Sequence, residues 1–241
     1  MKVLLIGGGG REHALAWKIA QSPLCDALYA APGNPGIARI GECVDLDVND
    51  HDAVVAFAKA QGVELVAVGP EAPLAAGLGD AVRAAKLKCF GPTGAGARIE
   101  SDKAYAKEMM RAASVPTAEA RIFTSLAAAK EYVLSRDHGV AVKAAGLAAG
   151  KGVTVCPEPY QAVRPLEEMM DEKVFGEAGA TVLIEEMLTG QEGTVLVLCD
   201  GKNIYPMEPL QDHKPIGEGD TGPNTGGMGA YSPVPIIAAT M

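Results

Sequence analysis

At 241 residues the chain is long enough for one or two domains with a sizeable core. Hydrophobic residues make up 48% and charged residues 21%, the balance of a soluble globular protein. A net charge of -9 excludes nucleic acid as the general partner, because backbone binding needs a basic face; any phosphate must be held by local lysines and amides.

From the first residue, "KVLLI" reads as a buried strand, followed by "GGGG" and the helix "REHALAWKIAQS". "ALYAA" is a second strand, leading to "PGNPG", and "CVDLDV" precedes the helix "HDAVVAFAKAQG". The strand "ELVAVG", a single helix "APLAAGLGDAVRAAK" and the strand "LKCFG" complete the first hundred residues. Continuous apolar strands between amphipathic helices predict a parallel sheet covered on both faces. Ligands of such sheets collect beyond the carboxyl ends of the strands, where the loops "GGGGREH" and "VGPEAPL" fall.

After "GPTGAGARIE" a helix is expected over 101–113, capped by Ser101 and ended by "SVP". The domain boundary is placed near Glu100 to Val115. A second unit follows: the strand "ARIF", the helix "SLAAAKEYVLSR", the hairpin "AVKAAGLAAGKGVTV" and a variable segment "PEPYQAVRPLEEMM". Then come "ATVLIEEML" and "EGTVLVLCD", and from Asp212 onward the polar, glycine-rich "DHKPIGEGDTGPNTGGMGAYSP". There is no internal repeat.

Two familiar nucleotide motifs are absent. The dinucleotide fingerprint fails because Glu12 and His13 stand where its third glycine belongs, and Ala30, Ala31 and Pro32 replace the acidic ribose ligand. Glycines at such a turn can still bind phosphate through exposed amides; a tight turn without ligand fits them equally well. The hairpin is not a Walker A loop either. Only three residues separate Gly146 from Gly150-Lys151, and Gly152 offers magnesium no hydroxyl.

Other residues suit ATP. Lys143 lies in the apolar strand "VAVKAA", and a half-buried lysine needs an anionic partner, unless it snorkels from an edge strand. The adjacent Gly and Ala loop can lie close over phosphates. Lys103 sits at a helix start and, alone, reads as a solvated lysine. In "VLIEEMLTGQE", backbone groups of Glu186 to Leu188 could read an adenine edge and Glu192 could accept from ribose hydroxyls, although a paired "EE" commonly ends a solvated strand. Lys214 beside "DTGPNTGGMGAY" suits a carboxylate or phosphate, the alternative being a disordered loop.

The five cysteines are scattered and form no C-x-x-C pair, the usage of a reducing compartment. "MKVLLIGGGG" is too short an apolar run for a signal-peptide core, and no segment approaches a membrane span, so a cytoplasmic location is expected.

At these residues the chain resembles the glycinamide ribonucleotide synthetase family of the ATP-grasp superfamily. The resemblance runs through "LLIGGGGREHALAWK", "APGNPG", "VGPEAPL", "KAAGLAAGKGV", "IEEML" and above all "DHK" with "GDTGPNTGGMGAYSP". It implies an α/β fold: a Rossmann-like pre-ATP-grasp domain over 1–100, a connecting helix over 101–115, a small ATP-grasp subdomain over 116–192 and the start of the large one over 193–241. It implies ATP at Lys103 and Lys143, under the loop Gly146, Gly150, Lys151 and Gly152, with Glu185, Glu186, Met187 and Leu188 at adenine and Glu192 at ribose. Gly8, Gly9, Gly10, Arg11, Glu12 and Glu71 would face 5-phosphoribosylamine. Asp212, Lys214, Asn224, Thr225, Gly226, Gly227 and Met228 would face the substrates and the γ-phosphate. Lys143 and Lys214 would be the catalytic cations.

The implied reaction ligates glycine to 5-phospho-β-D-ribosylamine through glycyl phosphate, releasing ADP and phosphate, in purine synthesis. Such chemistry needs positioning and charge, with no protein nucleophile. The family continues past "YSPVP" to a glutamate and an asparagine that hold Mg2+, so the metal ligands are expected beyond residue 241. Two alternatives stay open at this point: a non-catalytic truncated fragment, or another ATP-grasp ligase of purine synthesis. Pro165 is expected to shorten or kink a helix that is usually continuous.

Overall fold

The computed structural model describes residues 1–148 and 150–237, apart from the side chain of Pro223. Ala149, inside the loop expected over phosphates, and residues 238–241 lie outside the described residues. The chain divides into two compact units, one of Met1–Thr117 with Ala145–Leu147, the other of Ala118–Ala144 with Ala148–Met241. No helix among the described residues is long and apolar enough to cross a membrane.

The first unit is built on five strands: β1 (Lys2–Gly7), β2 (Ala27–Pro32), β3 (Glu42–Cys43), β4 (Leu65–Val68) and β5 (Lys88–Phe90). All pair in parallel, in the order β3-β2-β1-β4-β5. The continuous apolar run of β1 follows from this, because both of its faces are covered. Leu4 and Ile6 enter one core with Val54, Val66 and Val82, while Val3 and Leu5 enter another with Ala16, Leu28 and Ile37. Helices α1 (Gly10–Ala20) and α2 (His51–Gln61) lie where expected. The single helix expected over 72–86 is two, α3 (Glu71–Ala75) and α4 (Leu78–Ala84). Gly77 between them has φ +99°, a left-handed conformation that breaks the helix.

A further helix, α5 (Gly94–Ser101), forms where "GPTGAGARIE" gave no helical signal. Thr93 caps it, accepting the Gly96 N–H at 3.2 Å. Ser101 therefore ends one helix instead of capping the next. The cap of α6 (Lys103–Ala112) is Asp102, whose Oδ1 accepts the Tyr105 N–H at 3.0 Å. Burial works to raise the Asp102 pKa, but that amide and the Arg98 guanidinium outweigh it and hold the carboxyl low.

The second unit holds the antiparallel sheet β6-β9-β7-β8, from β6 (Ala120–Phe123), β7 (Val140–Ala144), β8 (Val153–Cys156) and β9 (Val182–Glu186). Helices α7 (Leu126–Leu134) and α8 (Val163–Met170) cover one face, burying Val140, Val142, Val182 and Ile184 with Val133, Leu166 and Met169. Strand alternation then puts Ala141 and Lys143 on the other face. The α-helix is short, as expected at Pro165: a 3₁₀ turn over Pro159–Ala162 runs directly into α8, which begins only at Val163 and holds the proline in its first turn.

Two hairpins complete this unit: β10 (Val197–Cys199) with β11 (Ile204–Pro206), and β12 (Gln211–Gly217) with β13 (Thr221–Tyr231). The glycine-rich tail, for which a disordered loop is the alternative reading, is thus largely strand. Of the five cysteines, Cys156 is buried and Cys199 is exposed. Burial pushes the Cys89 and Cys156 thiols above their usual pKa.

Candidate functional site

In the second unit the uncovered face of the four-stranded sheet and the β12–β13 hairpin enclose a cavity of about 630 Å³. Ala141, Val153, Val155, Met187 and Leu188 supply apolar walls; Lys143, Glu185, Glu192, Asp212, Lys214 and Asn224 supply polar groups. An apolar cleft with a few convergent polar groups is the usual form of a small-molecule site.

Register explains the first charge pair. Ala141 pairs with Glu185 and Lys143 with Leu183, so Lys143 and Glu185 are diagonal neighbours on one face. Lys143 Nζ lies 2.9 Å from Glu185 Oε2, with only 8% of the glutamate side chain exposed. The second cluster is more open. Lys214 Nζ lies 3.0 Å from both Glu192 Oε2 and Asp212 Oδ2. The Asp212 contact, then Glu192, raises the Lys214 pKa above its ordinary 10.5, and Lys214 in turn holds Asp212 below 3.8. Thr225 donates its hydroxyl to Lys214 O at 2.8 Å and accepts the Gly227 N–H at 3.0 Å, fixing the strand beneath the lysine.

The strand end expected to read adenine is partly committed. Glu186 N–H donates to Glu119 O at 3.0 Å and Met187 N–H to Gly139 O at 3.1 Å. The Glu186 carboxylate in turn accepts the Glu119 N–H at 2.9 Å, clamping that residue from both sides. The amides of Glu186 and Met187 are therefore engaged within the sheet, which narrows the expected hinge to Leu188 and carbonyl groups.

Of the other expected nucleotide residues, Gly150 lines the cavity, with φ +76°. Gly152 is required by close approach, since a Cβ there would stand 2.5 Å from the Ala148 Cβ. Lys103, Gly146, Lys151 and Gly152 are not among the described lining residues, nor are Gly227 and Met228. Lys103 and Gly146 meet each other within the first unit, where Lys103 Nζ donates to Gly146 O at 2.9 Å.

A smaller cavity of about 340 Å³ belongs to the first unit, lined by Arg11, Gly69, Glu71, Leu74, Ala97 and Glu100 among others. Arg11 follows β1 and Glu71 follows β4, the neighbouring strands at which the strand order reverses. That reversal is the switch point where open parallel sheets bind ligands. Arg11 and Glu71 pair at 3.5 Å. Gly8, Gly9 and Gly10 lead into α1, and Glu12 is buried beneath them.

Sequence reasoning missed Asn34. Its Oδ1 accepts the Gly36 and Ile37 amides at 2.8 and 2.9 Å, and its Nδ2 donates to Gly8 O at 3.0 Å, bracing the glycine loop. An asparagine ahead of Pro-Gly, an Asx-turn signal, was the available cue.

The family model of the phosphoribosylglycinamide synthetase N domain matches residues 1–100, and that of its ATP-grasp (A) domain matches residues 101–241. The chain belongs to the phosphoribosylglycinamide synthetase family. Among its relatives, the phosphoribosylamine–glycine ligase of Agrobacterium fabrum is 52% identical over 241 residues, covering 100% of this chain and 57% of the relative. The ligase of a Nostoc species is 53% identical over 238 residues, covering 98% of this chain and 56% of its own length. This chain thus spans little more than half the length of these relatives. The solved phosphoribosylamine–glycine ligase of Thermotoga maritima superposes with a TM-score of 0.76 at 27% identity, covering 97% of this chain and 56% of that one. The biotin carboxylase domain of the Hydrogenobacter thermophilus 2-oxoglutarate carboxylase, at 19% identity, TM-score 0.68 and coverage of 87% and 50%, shares the fold alone.

Proposed function

We propose that this chain supplies the nucleotide and substrate sites of a cytoplasmic ligase that joins glycine to 5-phospho-β-D-ribosylamine in purine synthesis. ATP is cleaved to ADP and phosphate, and glycinamide ribonucleotide is the product. The observation that carries the reading is the second unit's cavity, with Lys143 and Lys214 held on different walls by Glu185, Glu192 and Asp212. Membership of the phosphoribosylglycinamide synthetase family supports it.

On this reading ATP lies in that cavity, its base against Val153, Val155, Met187 and Leu188. Glu192 accepts from the ribose hydroxyls. Lys143 and Lys214 offset phosphate charge beside Gly150, Lys151 and Gly152 of the loop, while Lys103 and Gly146, which meet each other in the first unit, are nucleotide residues by family resemblance alone. Glycine's carboxylate attacks the γ-phosphorus and ADP leaves. The ribosylamine nitrogen then attacks the glycyl carbonyl carbon and phosphate leaves. Protein groups position the reactants and stabilise developing charge, so no protein nucleophile is required. Asp212, Asn224, Thr225, Gly226, Gly227 and Met228 border the transferring phosphoryl group. The first-unit cavity, with Arg11, Glu71 and the Gly8–Gly10 loop, receives the ribosylamine. Division into 1–100, 101–115, 116–192 and 193–241 belongs to the same reading. Magnesium is a family expectation. Among the described residues no group of three or more His, Cys, Asp or Glu could hold a metal ion.

The test uses the natural gene product, its intact mass first measured, assayed for ADP release that depends on both glycine and ribosylamine. Lys143→Ala is expected to lower that release by about 100-fold or more, the loss typical of a missing charge-stabilising group. Removing the lysine also takes a close cation away from the buried Glu185 carboxylate, so the variant should unfold at lower denaturant while remaining folded in buffer. Wild-type turnover in Lys143→Ala removes this residue from the site.

A further inference from the structure

Glu12 is 4% exposed, although its neighbour Arg11 has 65% of its side chain in solvent. Buried carboxylates are rare without partners. Oε2 accepts the Gly9 N–H at 2.8 Å. Oε1 makes no aligned hydrogen bond among the described residues and lies 3.3 Å from Arg11 Nε, a charge contact. Glycines clear the space around this side chain. A Cβ on Gly7 would stand 2.5 Å from Glu12 Cγ, one on Gly9 2.9 Å from Oε2, and one on Gly69 2.5 Å from Cγ while overlapping Oε1. Gly7 ends β1 and Gly69 follows β4, so the carboxylate is wedged between the two strand ends at the reversal of strand order. Helix capping accounts for the Gly9 bond. It accounts neither for the clearance at Gly69 nor for the approach of Oε1 to Arg11.

We infer that Glu12 is a positioning residue for the ribosylamine side of the reaction. It holds the Gly9 amide of the glycine loop and the Arg11 guanidinium, and through Arg11 the Glu71 pair, at the mouth of the first-unit cavity without touching substrate. The inference rests on the functional reading above, and it replaces direct substrate contact by Glu12.

The experiment measures kcat and the KM of each substrate in the full-length enzyme carrying E12Q, E12A, G69A and E12A with G69A. E12A should raise the ribosylamine KM by about 10-fold with kcat and the ATP and glycine KM values nearly unchanged, the pattern of binding lost equally from ground and transition states. E12Q should cost about threefold, because its amide oxygen still accepts from Gly9 while the charge facing Arg11 is lost. G69A, which displaces the Glu12 side chain, should resemble E12A. In the E12A background G69A should add nothing, since its methyl fills vacated space. If E12A does not fold, E12Q and G69A carry the test. An unchanged ribosylamine KM, or a parallel change in all constants as a purely structural role gives, overturns the inference and leaves the ligase reading standing. Absence of ribosylamine-dependent turnover in the unaltered enzyme overturns both.

Discussion

Lys143 and Lys214 line one cavity from walls of different construction. Lys143 stands on β7, an inner strand bonded to β9 on one side and β8 on the other, above a core of aliphatic side chains. Lys214 stands on β12, in a two-stranded hairpin whose neighbouring side chains are largely exposed. The first lysine is fixed by register. The second is held by two carboxylates and by the Thr225 hydroxyl beneath its backbone. A site can thus combine a wall set by burial with a wall set by polar contacts, and the two should respond differently to perturbation.

The sheet wall should break most severely. Ile184 is 1% exposed in the core behind the cavity, and Ile184→Ala should destabilise the second unit by about 2–5 kcal/mol. Urea unfolding followed by hydrogen exchange in β7 and β9 measures it; a loss confined to the hairpin would contradict the division. In the hairpin, Tyr231 OH donates to Gln211 Oε1 at 2.7 Å. Tyr231→Phe should cost about 1 kcal/mol, read as faster exchange in β12 and β13 with β7 and β9 unchanged. The smallest effect is electrostatic. The lowered Asp212 pKa gives stability that is complete above its ordinary 3.8 and is lost as pH falls through the folded value. The raised Lys214 pKa gives stability complete below 10.5 and lost as pH rises through its folded value. Both groups are about a third or more exposed, so the contribution should stay below about 1 kcal/mol. A carboxyl NMR titration should find the Asp212 midpoint moving up in Lys214→Met; an unmoved midpoint would mean the pair does not persist in solution.

The same contrast decides what the sequence disclosed. β1, β4, β7 and β9 are apolar runs long enough to betray a covered sheet, and Lys143 was conspicuous because it interrupts one of them. β12 and β13 carry no such signal. Glycine, proline and threonine hide their pairing, which the register from Gln211–Tyr231 to Gly217–Thr221 reveals. Likewise α5 contains Gly94 and Gly96 and forms around a threonine cap and buried Ala97, tertiary support that local propensity does not convey. The carboxylates were visible as charges. Their attachments were not: that Glu186 clamps Glu119, or that Glu12 fills space left by three glycines, depends on side-chain direction.

The uneven exposure of the cysteines makes the second unit addressable. Thiol reagents attack the thiolate. The buried thiol of Cys156 and the half-buried one of Cys89 are both harder to ionise than usual, whereas Cys199 stands in the open at the end of β10. Cys25 and Cys43 are half-buried, so brief labelling of the unaltered protein favours Cys199. A dye or spin label fixed there would follow the movements of that hairpin without any cysteine having been replaced.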